Sequence, residues 1–156
     1  MRGTPPAEIE IDEKLVRELL EEQHADLASL PLQLADSGWD NVMFRLGDDL
    51  AVRLPRRQLG AELAKHEHAG LPTFAGKLPL PIPAPLRLGE TNERYPWRWS
   101  IVPWLEGQTA ALVPPASSQA EPWAEFLRAL HEKPVEDSPP NPFRGCALQE
   151  RAQDIE

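Results

Sequence analysis

The stretch Asn41–Leu54, NVMFRLGDDLAVRL, constrains the fold more than any other part of the chain. Val42, Phe44 and Leu46 alternate with Asn41, Met43 and Arg45, the period-two pattern of a strand with one apolar face. Gly47-Asp48-Asp49 then returns the chain into Leu50–Leu54, so the two runs pair as an antiparallel hairpin. Leu32–Ala35, just after Pro31, starts a strand on the near side. A chain with this hairpin has to build a sheet and cover one of its faces.

Helical spacing elsewhere supplies the cover. From Asp12, a suitable N-cap, Leu15, Val16, Leu19 and Leu20 fall on one side of a helix and Glu18, Glu21 and Glu22 on the other. Gln58–Leu71 repeats Leu59, Leu63 and Leu71 at helical intervals, although Gly60 and Gly70 each cost about 1 kcal/mol relative to Ala. The alternating prolines of Pro79–Pro85 forbid helix and force an extended path. Leu86–Leu88 and Tyr95–Trp104 read as two further strands around a Gly89–Arg94 turn. Trp123, Phe126, Leu127 and Leu130 make a last complete helical stripe, stopped by Pro134, and Gln149–Glu156 reads as a helix cut off mid-course. The order helix, three strands, helix, two strands, helix fits an α+β domain with one five-stranded antiparallel sheet.

Composition narrows the function. A length of 156 residues allows one domain with a real core, or one lobe of something larger. A net charge of −9 argues against nucleic acid, whose phosphates need clusters of Lys and Arg. The single cysteine, Cys146, excludes an intramolecular disulfide or a CxxC site. With no signal-like leader and no long apolar run, no membrane association is expected and the expected location is cytoplasmic. The 18 prolines cluster between periodic segments and so mark connections, because a 41% hydrophobic content still supplies a core.

Three constellations could carry chemistry. Ala51 and Arg53 lie at i and i+2 of a strand and share a face, a small residue beside a cation. Such a pair makes a slot for a ring and a charge for phosphates, or else it is an edge arginine snorkelling to water. Glu67 follows Leu59 and Leu63 at i+4 steps, and a carboxylate so placed is paired or sits at a solvated margin. Arg53–Glu67 would be that pair, with Glu62 the weaker partner. Ser100–Gly107 runs a strand into a loop through Pro103, whose carbonyl, with the Leu105 N–H, could meet a purine edge, or could simply end a strand. Ahead of these, the small-residue turn Ser37-Gly38 could close over phosphates. His66 and His68, two apart on a helix, cannot chelate one metal ion. No GxSxG, Walker A or dinucleotide fingerprint occurs. The Pro79–Pro85 run could be read by an SH3-type groove or serve as a tight connection.

In order and spacing, these residues resemble the N-terminal lobe of the aminoglycoside phosphotransferase family, small-molecule kinases with a protein-kinase-like fold. The likeness is strongest over Ser37–Pro55, Pro79–Pro85, Pro103–Gly107 and Phe126–His131. It implies a kinase-like N-terminal lobe over residues 1–104, with the interlobe linker and the start of a second lobe over 105–156. It implies ATP as cofactor and a hydroxylated small molecule, antibiotic or metabolite, as acceptor. Ser37, Gly38 and Asn41 would close over the phosphates, Arg53 would bind them, and Glu67 would orient Arg53. Val102 would line the adenine pocket, while the Pro103 carbonyl and Leu105 N–H would take the adenine edge. The chain departs from the family in having one glycine in the turn and Arg53 where a Lys is common. It also lacks the family's His-Gly-Asp loop: His131 is followed by Glu132-Lys133, and the only later aspartates are Asp137 and Asp154. Magnesium ligands and the catalytic Asp would belong to a second lobe, so this 156-residue chain is expected to be a truncated form, inactive by itself. A non-catalytic nucleotide-binding or dimerising module, or an interaction fragment, is the alternative. The exposed stripe of the last helix would favour self-association.

Overall fold

The computed structural model describes residues 4–131. Its elements run α1 (Glu13–Gln23), β1 (Leu32–Ser37), β2 (Asn41–Leu46), β3 (Leu50–Pro55), α2 (Gln58–Phe74), β4 (Arg87–Gly89), β5 (Trp99–Pro103) and α3 (Ala120–Leu130), with a short 3-10 turn at Ser117–Gln119. The five strands form one sheet in the order β1-β2-β3-β5-β4, antiparallel throughout. The fold class is therefore the expected α+β, and the elements appear in the expected order. Pro134–Pro142, Cys146, Asp137, Asp154 and the expected helix at Gln149–Glu156 lie outside the described residues.

The β2–β3 hairpin is built as its alternation requires. Val42 pairs with Leu54, Phe44 with Val52 and Leu46 with Leu50, and Gly47 turns the chain at a φ of 62°. Val42, Phe44, Leu46, Val52 and Leu54 point to one face, where α1 covers them with Val16, Leu19 and Leu20, all three fully buried. Burying each such side chain contributes about 1.5–3 kcal/mol, which is what holds an eleven-residue helix to the sheet. The α1 N-terminus is capped as the sequence indicates, with the Leu15 N–H donating to Asp12 Oδ1 at 2.8 Å.

Three expectations need correcting. Tyr95–Trp104 is not one strand, because only Trp99–Pro103 joins the ladder. Pro96 has no N–H to give a ladder, and Asn92 Oδ1 accepts from the amides of Arg94 (3.0 Å) and Tyr95 (2.9 Å) to form a turn. Tyr95 and Trp97 still enter the core, and the Tyr95 hydroxyl donates to the Pro55 carbonyl at 2.6 Å. The strand expected at Leu86–Leu88 is displaced to Arg87–Gly89, since Gly89 is needed opposite Trp99. The buried side of α2 is Gly60, Ala61 and Ala64, not the Leu59–Leu63 stripe, and Leu59 is exposed. Small residues let the helix approach the sheet closely, and here they outweigh the leucine pattern.

Candidate functional site

The sheet's other face carries the polar constellation. Register fixes its members: Met43 pairs with Arg53 and Arg45 with Ala51, while Arg53 pairs with Ser100 and Ala51 with Val102. A cleft of about 390 Å³ opens here. Met43, Arg53 and Val102 reach it from the strands. Asp36, Gly38, Trp39, Asp40 and Asn41 reach it from the β1–β2 turn, and Pro83 from the proline run. Ala51 shares this face but is fully buried, whereas the Trp39 indole is 55% exposed.

At its inner end Arg53 meets Glu67 of α2 in a two-pronged ion pair. Arg53 Nη1 lies 2.5 Å from Glu67 Oε2, and Nη2 donates to Oε1 at 3.2 Å. Both side chains are partly buried, at 23% and 37% exposure. Charge-assisted forked pairing of this kind fixes the guanidinium plane as well as its position. Glu62, the weaker candidate, points elsewhere and binds Lys65 at 2.8 Å. Next to Glu67, His68 has a buried Nδ1 with no hydrogen-bond partner among the described residues. Burial holds the His68 pKa below its ordinary value. Glu67 opposes that shift, while Arg53 adds to it.

The β1–β2 turn is pinned from below. Arg56 Nη1 donates to Ser37 Oγ and to the Gly38 carbonyl, each at 3.0 Å. Arg57 Nε donates to the Trp39 carbonyl at 3.1 Å, and Arg57 Nη2 to Asp40 Oδ1 at 2.7 Å. The Asp40 carbonyl accepts the Arg56 amide at 2.9 Å. The turn also lies directly on the first turn of α2, where a Cβ at Gly60 would stand 2.5 Å from the Asp40 carbonyl oxygen. Asn41 Oδ1 is buried without a partner among the described residues.

At the far end the chain leaves β5 through Pro103. The Trp104 amide donates to the Asp49 carbonyl at 2.7 Å, and the Arg45 guanidinium stacks 4.9 Å from the Trp104 ring centroid. Glu106 Oε1 accepts from Arg45 Nη2 at 2.8 Å and from Trp104 Nε1 at 3.0 Å. These contacts strap the departing segment to the sheet. The Leu105 N–H has no acceptor among the described residues.

Of the residues singled out from sequence, the structure brings Gly38, Asn41, Arg53 and Val102 around one cleft. Glu67 stands behind Arg53, and Ser37 is held at the edge of the turn. Pro103 and Leu105 continue from Val102 along β5 and its exit. Sequence reasoning missed Trp39, Met43, Pro83 and the two arginines beneath the turn. The Arg56-Arg57 pair directly after β3 was the available signal, because two adjacent cations at a strand–helix junction need acceptors nearby.

The comparisons with known proteins agree in kind. A family model described as "Phosphotransferase enzyme family" matches residues 31–154. No curated protein sequence matches the chain at a significant level. Among solved structures, the GDP complex of wild-type aminoglycoside 2'-phosphotransferase-IIIa superposes with a TM-score of 0.74 at 21% identity, covering 93% of this chain and 52% of its own. The GDP and kanamycin complex of APH(2")-IIia gives 0.67 at 22% identity, covering 79% of this chain and 43% of its own. The streptomycin–ATP ternary complex of APH(2")-IIa gives 0.57 at 20% identity, covering 82% and 42%. The chain thus spans about half the length of the structures it resembles, and the shared fold is that of their kinase-like N-terminal lobe.

Proposed function

The chain belongs to the phosphotransferase enzyme family, and from that premise we propose that it is the nucleotide-binding part of an ATP-dependent small-molecule phosphotransferase. Residues 1–104 would form the N-terminal lobe, and residues 105–156 the linker and the beginning of the second. The observation that carries this reading is the forked Arg53–Glu67 pair at the inner end of the cleft, under the β1–β2 turn. A cation held rigidly by a carboxylate, and still partly exposed to a cleft, is placed to receive a second anion.

The cleft fits a nucleotide in size and in chemistry. Its volume falls within the range of small-molecule sites, and Val102, Met43 and Trp39 offer apolar surface for a ring. Arg53 would take the phosphates with Glu67 orienting it, and the turn Ser37–Asn41 would cover them. The Leu105 N–H, with the Pro103 carbonyl, would meet the purine edge, and the Arg45–Trp104–Glu106 strap would hold that segment in place. Bound ATP supplies the phosphoryl donor. Magnesium, which the family resemblance implies, finds no donor set among the described residues. The acceptor would be a hydroxyl of an antibiotic or metabolite.

The sequence contains no His-Gly-Asp loop. We therefore propose that the 156-residue chain binds nucleotide without transferring phosphate. Titration with ATP, GTP and ADP tests the binding claim, because a ligand specific for the folded state raises its melting temperature. A dose-dependent rise is expected for the wild type and its loss for Arg53→Ala. No shift at millimolar nucleotide would overturn the assignment, and acceptor-dependent ATP turnover by the purified chain would overturn the claim of inactivity.

A further inference from the structure

We propose that Arg56 and Arg57 are positioning residues that preform the β1–β2 turn as an anion cradle, with the amides of Trp39 and Asp40 turned into the cleft. The inference rests on the nucleotide-binding reading given above. The turn contains one glycine, Gly38, so its backbone is not free to rearrange around a ligand as a glycine-rich loop would. Something else must orient its amides.

Peptide planarity supplies the link. The carbonyl of one residue and the N–H of the next lie on opposite sides of a trans peptide. Arg56, at the β3–α2 junction, holds the Gly38 carbonyl toward its guanidinium, which turns the Trp39 N–H away from it. Arg57 draws the Trp39 carbonyl the same way, which turns the Asp40 N–H away as well. Two successive carbonyls on one side is not a strand pattern. It is the arrangement in which consecutive N–H groups converge on one concavity and favour an anion there. Neither amide has an acceptor among the described residues, and both belong to residues that line the cleft.

Two acidic residues line the same cleft, and among the described residues Asp40 is the one paired with a cation. The Asp40 carboxylate is neutralised by Arg57 at 2.7 Å, and Asp36 Oδ1 accepts the Ser37 amide at 2.8 Å. Gly60 is the third part of the device. Its missing side chain lets the Asp40 carbonyl rest on α2, so the turn is seated by shape as well as by charge.

The test compares ADP with adenosine by calorimetric titration of the wild type, an Arg56→Gln/Arg57→Gln double variant, and Gly60→Ala. It adds amide hydrogen exchange over residues 38–41 in the nucleotide-free protein. In the double variant, ADP affinity is expected to fall about tenfold while adenosine affinity stays unchanged. Gly60→Ala is expected to do the same with every charge intact, and exchange is expected to speed up in both variants. Should the double variant not fold, Gly60→Ala alone carries the comparison. Parallel losses for ADP and adenosine, wild-type ADP affinity in Gly60→Ala, or unchanged exchange would each overturn the cradle. A wild type that binds ADP no better than adenosine would overturn it while leaving nucleotide binding intact. A wild type that binds neither would overturn both.

Discussion

Gly89 is where one missing atom decides most. It pairs with Trp99 across β4–β5, and an added Cβ would stand 1.8 Å from the indole Cε2. Trp99 is fully buried and has no room to retreat. Gly89→Ala should therefore cost about 1–3 kcal/mol, read as a lower urea midpoint with an unchanged slope. A wild-type midpoint would show that the indole does not fill that space. Arg53 and Glu67 behave differently, since a partly exposed pair contributes at most about 1 kcal/mol to folding. Their pairing was legible from the sequence because two local periodicities, i+2 on a strand and i+4 on a helix, aimed them at each other. The small buried face of α2 was not legible, because alanine and glycine carry little pattern and only the closeness of packing reveals them.

At the scale of an element, α2 joins the core, the ion pair and a histidine that avoids charge. Burial lowers the pKa of His68 in the folded chain below the ordinary value of 6.5. The unfolded chain then takes up a proton first as the pH falls. That stabilisation is complete above about pH 6.5 and is lost on acidification, at no more than about 1.4 kcal/mol per pH unit. His68→Gln should flatten the stability profile between pH 7 and pH 5 in denaturant titrations. An identical slope in the variant would assign the loss to other groups. The helix runs through Pro72, where the sequence suggested an end at Leu71. Proline removes a donor without forcing a stop this close to the C-terminus, and Thr73 Oγ1 donates to the Gly70 carbonyl at 2.7 Å in the same turn. The run Tyr95–Trp104 misled for a related reason: its alternation was real, but the Asn92 turn consumed the amides that a ladder needs.

For the whole molecule, the order of elements and the single sheet were legible because hairpin and helix patterns are local. The neighbourhood of β3 and β5 was not, since nothing local specifies which strand fills the sheet's middle. On α3 no residue is buried among the described contacts, and Trp123 and Leu127 stand 52% and 44% exposed. An apolar stripe of that kind favours association, so sedimentation should show an apparent mass that rises with concentration. Trp123→Ser/Leu127→Ser should suppress the rise, whereas a concentration-independent monomer mass would retire the idea. The position of β5 has a further consequence for synthesis. The core that α1 closes also contains Tyr95, Trp97, Trp99 and Ile101, so the first three strands leave the ribosome before the residues that complete their interior. Until residue 101 emerges, the interior beneath α1 lacks these side chains, and the step that completes it is the addition of β5, with β4 on its far side, to the free edge of β3.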